Sequence, residues 1–184
     1  MMPSILDAMR RMRLSHCIPS FRCLEVGSFD VNGSPRVVFP DATNYHGIDI
    51  MSGPGVDQVG DAEDLLGRMC PASWDTVICC ETLEHTIHPW TIVQQMKRVL
   101  APGGFLWIST PTYGFPLHRF PIDTYRFGED AYRLWLYSDM GLLALETVRD
   151  AVGFPAIVAV GQKWSAGGNS HAGSVWPDMA GRND

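Results

Sequence analysis

Short apolar runs in the first half of this chain end in carboxylates or in a glycine turn. They are Arg22-Cys-Leu-Glu-Val-Gly27, Tyr45-His-Gly-Ile-Asp49, Val56-Asp-Gln-Val-Gly-Asp61 and Trp74-Asp-Thr-Val-Ile-Cys-Cys-Glu81, followed by Gly103-Gly-Phe-Leu-Trp-Ile-Ser-Thr110. If the runs are parallel strands, their carboxyl ends form the rim where ligands bind in α/β sheets. Glu25, Asp49, Asp61 and Glu81 would then crowd one rim. Carboxylates that close together repel one another unless a cation or a set of hydroxyl donors sits among them. His85, His88 and His118 are the side chains able to accept a proton near neutral pH, should the chemistry need a base.

The elements that would position these groups can be read from periodicity and turn residues. Pro3 to Leu14 reads as a helix capped by Ser4, with Ile5, Met9 and Met12 on one face. Strands are expected at about 22–27, 44–48, 56–60, 74–80 and 105–109. Asn32-Gly33 centres a turn, followed by a stunted helix or turn. Asp61 can cap a helix through about Met69. A helix from Pro89 to about Leu100 presents Ile92, Val93, Met96, Val99 and Leu100 and is stopped by Ala101-Pro-Gly-Gly104. Residues 110–127 form a long Pro- and aromatic-rich loop, a length often tied to function. A helix over about Glu129 to Asp139 precedes two apolar runs, Leu142 to Val148 and Phe154 to Gly161. The link between these runs is too short for a crossover, so they should pair antiparallel. The fold class is therefore α/β: a Rossmann-like doubly wound seven-stranded sheet, mostly parallel with an antiparallel last strand, and helices on both faces.

At 184 residues the chain suits one main domain. The expected division is an N-terminal helical cap over 1–19, the sheet domain over 20–162 and a flexible tail over 163–184, rich in Gly, Ser, Asn and Asp. A formal charge of −6 argues against a broad nucleic-acid surface, which needs clustered Lys and Arg. The five cysteines are odd in number and fit no zinc or redox spacing, so no metal is expected and a reduced, cytoplasmic compartment is. Cys79 and Cys80 read as packing residues, and Trp74, Trp90 and Trp107 as core. No apolar run is long enough for a membrane span, and the N-terminus lacks the apolar core of a signal peptide.

Taken in order, Leu24-Glu-Val-Gly27, Gly47-Ile-Asp49, Gly60-Asp-Ala62, Trp74-Asp75 leading to Glu81-Thr-Leu-Glu-His85, and Met96-Lys-Arg-Val-Leu-Ala-Pro-Gly-Gly104 resemble the motifs of a class I S-adenosylmethionine (SAM)-dependent methyltransferase. The likeness is to the small bacterial methyltransferase type 11-like group and spans about residues 20 to 162. It implies SAM as cofactor and methyl transfer to a small-molecule or sugar-containing acceptor. It also implies roles. Gly27 lets the backbone approach the ligand, and Glu25 and the turn after it, including Ser28, frame the methionine part. Asp49 accepts from the ribose hydroxyls, Ile50 and Met51 pack on adenine, Asp61 and Ala62 meet its amino group and a ring nitrogen, and Glu81 lies near the ammonium or the acceptor. A cationic ligand suits an acidic rim. His85 and His118 are the implied catalytic candidates. His118, Arg119, Asp123, Tyr125 and Arg126 belong to a string that resembles one lining the acceptor pocket in relatives; Arg119 and Arg126 can equally pair with Asp123 and Glu129 to order the loop.

The family commonly carries three alternating glycines in its first motif. Here Phe29 and Val31 take the second and third places, and Asp30 with Asn32-Gly33 would have to remake the turn. The same departure leaves room for a non-catalytic SAM-binding or scaffold relative acting through a protein partner. An NAD(P)-dependent oxidoreductase shares the acid after strand two but wants Gly-x-Gly-x-x-Gly, where this chain has Gly27-Ser-Phe-Asp-Val-Asn. The short segment after the first strand implies an open pocket, which a homodimer partner could close.

Overall fold

The computed structural model describes residues 2–19 and 21–165. Most of the expected tail lies outside the described residues. Seven strands form one sheet in the order β3-β2-β1-β4-β5-β7-β6. They are β1 (Arg22–Val26), β2 (Asn44–Asp49), β3 (Gln58–Val59), β4 (Trp74–Cys80), β5 (Leu100–Pro111), β6 (Gly141–Arg149) and β7 (Pro155–Gln162). The first five run parallel; β7 lies antiparallel between β5 and β6. Chain order reverses between β1 and β4, the switch point where such sheets open a crevice.

Both sheet faces are covered, so the central strands read as continuous apolar runs rather than alternating ones. In β4, Val77 and Cys79 face one core and Ile78 and Cys80 the other. The first core holds helix α2 (Pro89–Val99) through Ile92, Val93, Met96 and Val99. The second holds helix α1 (Pro3–Ser15) through Ile5, Ala8, Met9 and Met12, against Trp107, Val158 and Val160. Among the described residues, no helix is long and apolar enough to cross a membrane.

Several local expectations are corrected. Ser4 does not cap α1: its hydroxyl is buried without a hydrogen-bond partner, and Pro3 opens the helix. The strand at 56–60 shrinks to two residues at the sheet edge. The segment after Asp61 is a 3₁₀ helix, Ala62–Gly67, capped as expected by Asp61, whose Oδ1 accepts from the Glu63 N–H at 2.8 Å. The extended backbone of β5 begins directly at Leu100. The helix expected over 129–139 is a single α turn, α3 (Glu129–Ala131), running into a π turn, Tyr132–Leu136. There the Tyr132 and Tyr137 hydroxyls reach sheet carbonyls of Ile157, Leu106 and Ala159, and this tertiary bonding overrides regular helical winding. Trp74 and Trp107 are core, but Trp90 is half-exposed and stacks edgewise on His88.

Candidate functional site

A crevice of about 810 Å³ opens at the carboxyl ends of β1, β2, β3 and β4. That volume suits a nucleoside-sized ligand. Glu25, Gly27, Asp49, Ile50, Asp61, Ala62, Glu81, His85, His118 and Arg119 all line it. The acidic rim inferred from the runs therefore exists, and the topology builds it.

Asp49 ends β2 with each carboxylate oxygen aimed by a backbone donor. Phe29 N–H donates to Oδ2 at 3.1 Å and Met51 N–H to Oδ1 at 3.0 Å. Each oxygen keeps acceptor capacity for a ligand hydroxyl. The loop after β1 is remade without the missing glycines. Asp30 Oδ1 accepts from the Gly33 N–H at 2.6 Å, and the Asp30 N–H donates to the Pro54 carbonyl. Phe29 stacks on Phe120 with ring centroids 6.3 Å apart, so the loops after β1 and β5 touch beside the crevice.

Glycine is needed at position 27 for a reason additional to the expected one. Its φ is +78°, and a Cβ there would sit 2.0 Å from Thr82 Oγ1, inside the protein itself. Ser28 is also corrected: it does not line the crevice. Its hydroxyl is buried beside Gly47, away from the crevice, and its N–H donates to the Ile48 carbonyl. Tight packing of the β1 and β2 loops places it there.

Glu25 is buried, and its carboxylate accepts from Tyr45 Oη at 2.8 Å and Ser34 Oγ at 3.1 Å. Burial raises its pKa to about 7, with Tyr45 and Ser34 pulling partly back. Glu81 takes φ +52°, a left-handed conformation that non-glycine residues rarely adopt. Its carboxyl is also pushed up, by burial and then by Glu84. Two acids poorly able to hold charge alone thus border the crevice.

The long loop is pinned to the segment after β4. Thr124 donates through N–H and Oγ1 to the Glu84 carbonyl at 2.8 and 2.7 Å, and Tyr125 Oη donates to the Ile87 carbonyl at 3.1 Å. Inside the loop, Arg126 grips Asp123 with both guanidinium nitrogens and donates to the Pro116, Phe115 and Tyr125 carbonyls. This pairing holds the Asp123 carboxyl well below the usual range. Asp123, Tyr125 and Arg126 do not line the crevice. Their expected substrate role gives way to the alternative of ordering the loop, because Arg126 and Asp123 are engaged with each other and with loop backbone, and the Tyr125 hydroxyl with the Ile87 carbonyl. Arg119 lines the crevice and is exposed; it forms no salt bridge among the described residues.

The pinned loop brings His118 against His85, ring centroids 4.9 Å apart. His85 Nδ1 bonds the Ile122 carbonyl at 2.6 Å, and His118 Nδ1 lies 3.3 Å from Asp123 Oδ2. Both Nε2 atoms face Glu84 Oε1 at 3.7 Å. The Glu84 carboxylate raises the pKa of His118 above its ordinary value, against a smaller lowering from burial. His88 sits at the crevice edge and pairs with Glu63 instead. The sequence assigns Glu84 no role beyond its place in the motif before His85; it is fully buried. Its only sequence signal is adjacency to His85, since the partner from the distant loop is set by tertiary packing.

Residues 35–108 match the family model described as "Methyltransferase domain", a stretch that starts after the variant loop. A ubiquinone biosynthesis O-methyltransferase of Paracidovorax citrulli is 45% identical over 47 residues, 26% of this chain and 20% of that protein. The chain's matches span about a fifth to a quarter of the length of such curated relatives. Among solved structures, the Burkholderia thailandensis 1,6-didemethyltoxoflavin-N1-methyltransferase, with its substrate and S-adenosylhomocysteine bound, superposes with a TM-score of 0.71 at 14% identity. That superposition covers 88% of this chain and 79% of that one. The N-methyltransferase NodS of Bradyrhizobium japonicum, also with S-adenosylhomocysteine, gives 0.66 at 14% identity, covering 86% and 85%.

Proposed function

We infer that this chain, a class I S-adenosylmethionine-dependent methyltransferase by its fold and its methyltransferase-domain segment, binds SAM in its crevice and transfers the methyl group to a small-molecule acceptor. The observation that carries this reading is Asp49. Its carboxylate is oriented by two backbone N–H groups and opens into a crevice of nucleoside size. Such a carboxylate can accept from both hydroxyls of a ribose, each bond to a charged group being worth roughly 1.5–3 kcal/mol.

The remaining residues fit the same ligand. Exposed Ile50 and Met51 offer apolar contact beside Asp49 for the adenine ring. Asp61 and Ala62 also line the crevice and would recognise the amino group and a ring nitrogen, with one Asp61 oxygen shared with its helix-capping bond. Glu25 and Glu81 border the remaining part of the crevice, where an ammonium would favour their ionised forms. When bound, SAM supplies an electrophilic methyl on a sulfonium. The protein's task is to align an acceptor with it, and positioning alone can supply ~7–11 kcal/mol.

His85, His118 and Arg119 form the polar part of the acceptor end, among Phe115, Ile87 and Phe120. An acceptor with an apolar ring and at least one polar atom fits that lining. The ubiquinone-biosynthesis relatives make an aromatic hydroxyl one class to assay first. A homodimer partner covering the rim is the assembly to check by light scattering.

The test is calorimetry with SAM and S-adenosylhomocysteine, followed by methyl transfer to a panel of aromatic hydroxyl and amine acceptors. The expected result is one ligand bound per chain and turnover on at least one panel member. No binding at millimolar ligand would overturn the reading.

A further inference from the structure

Glu84 is the least explained group in the molecule. It is fully buried, and neither carboxylate oxygen has a hydrogen-bond partner among the described residues. A buried carboxylate left in that state is expensive, and proteins normally pair it with a cation or with several donors. The nearby Arg126 does not serve: its guanidinium is engaged by Asp123 and by three loop carbonyls. Instead two imidazoles point at Glu84, each with Nε2 at 3.7 Å from Oε1.

We propose that Glu84, His85 and His118 form a binding site for a divalent transition-metal ion of the Zn²⁺, Mn²⁺ or Fe²⁺ class. The three side chains offer ligand atoms that all lie within 4.8 Å of one another. Two donors each ~2.1 Å from one tetrahedral ion stand roughly 3.4 Å apart, so an ion fits between them with only small side-chain shifts. Two nitrogens and one carboxylate oxygen are the donor set these metals favour, whereas Ca²⁺ and Mg²⁺ prefer oxygen alone.

The outer shell supports the same assignment. A ligating histidine normally donates its second ring N–H to a carbonyl or carboxylate, which fixes its tautomer. His85 Nδ1 meets the Ile122 carbonyl at 2.6 Å in this way; His118 Nδ1 lies 3.3 Å from Asp123 Oδ2 without a hydrogen bond, and the His118 backbone N–H donates to that oxygen instead. The His85 Nε2 lone pair is thereby left for the centre of the cluster, which the His118 Nε2 also faces. Asp123 is itself fixed by Arg126, so the loop that supplies His118 is held in place for that purpose. Both histidines line the crevice, so an ion with three protein ligands keeps open positions on the acceptor side. The site deepens the methyltransferase reading and rests on it for its use: the acceptor would be one that offers an oxygen to the ion. On this assignment the two histidines are metal ligands, not the general base expected from their type.

The experiment needs no methyl acceptor. The full chain, stripped with chelator, is titrated with Zn²⁺ by calorimetry and with Co²⁺ by visible absorption at pH 7.5, with Ca²⁺ as control. One Zn²⁺ and one Co²⁺ per chain are expected, and no Ca²⁺. Glu84→Gln and His118→Ala should each weaken Zn²⁺ binding at least tenfold. His118 lies at the crevice surface, so His118→Ala keeps the test sound if Glu84→Gln misfolds. Wild-type binding no tighter than that of the His118→Ala protein would overturn the proposal and leave a proton shared in the cluster as the account of its geometry. S-adenosylhomocysteine binding, measured on the same samples, separates failure of the metal site from failure of the methyltransferase reading.

Discussion

On the proposed reading Asp49 would meet the ribose through one short side chain, so its removal tests the cofactor site most directly. Asp49→Ala is expected to weaken S-adenosylhomocysteine binding at least tenfold by calorimetry, the loss of one or two charge-assisted bonds. A change under threefold would move the ribose elsewhere. Glu25 makes a different prediction. Its pKa rises from 4.5 unfolded to about 7 folded. The folded protein therefore holds that proton more tightly, and this stabilisation is complete below pH 4.5 and lost as pH rises through 7. Over that window Glu25 should lower stability by up to roughly 3 kcal/mol. In Glu25→Gln the Tyr45 and Ser34 donors still find an oxygen, but the slope should vanish. Urea unfolding of both proteins at pH 5 and pH 8 is the check; equal slopes would place the titration on another group.

At the scale of elements, the 112–127 loop is an internally bonded unit clamped to the segment after β4. Arg126 is its central tie. The Asp123 side chain is only 1% exposed, so removing Arg126 leaves a buried charge with the His118 N–H as its remaining donor, a loss of up to ~3–5 kcal/mol. Arg126→Ala is thus expected to lower the melting temperature by several degrees and to displace His118, cutting kcat. An unchanged melting temperature with a raised KM alone would restore Arg126 to substrate binding. The loop after β1 shows a second solution at this scale. An Asx-type bond from Asp30 to the Gly33 N–H, with the Phe29–Phe120 stack, takes over from the absent glycines. The lost motif residues therefore do not argue for a scaffold without a cofactor.

For the whole molecule, the two cores clamp the sheet from both faces and leave the crevice at its switch point as the place where a ligand adds contacts. A ligand that binds only the folded state stabilises it by about 2.7 kcal/mol at a hundred times its Kd. S-adenosylhomocysteine at that excess should raise the melting temperature by roughly 5–10 °C for a chain of this size. NADH at equal concentration should leave it unchanged. A shift with NADH alone would revive the oxidoreductase alternative.

The residue string by itself determined the sheet and its rim. Apolar runs such as Trp74 to Cys80 must be buried on both faces, and the acids that end them must gather at one edge whatever the details of packing. It also identified Gly27 as needed, though not the packing of Thr82 against it. Only tertiary structure decided which loop residues face inward. Ser28 turned into the protein, Asp123 and Arg126 turned to their own loop, and Tyr125 turned to the Ile87 carbonyl after β4. Glu84, 34 positions before His118, became the buried centre of the cluster. The physical reason is that an apolar run buried on both faces is a local property of a strand. The direction of a polar side chain in a loop depends on which donors and acceptors from distant segments reach it first.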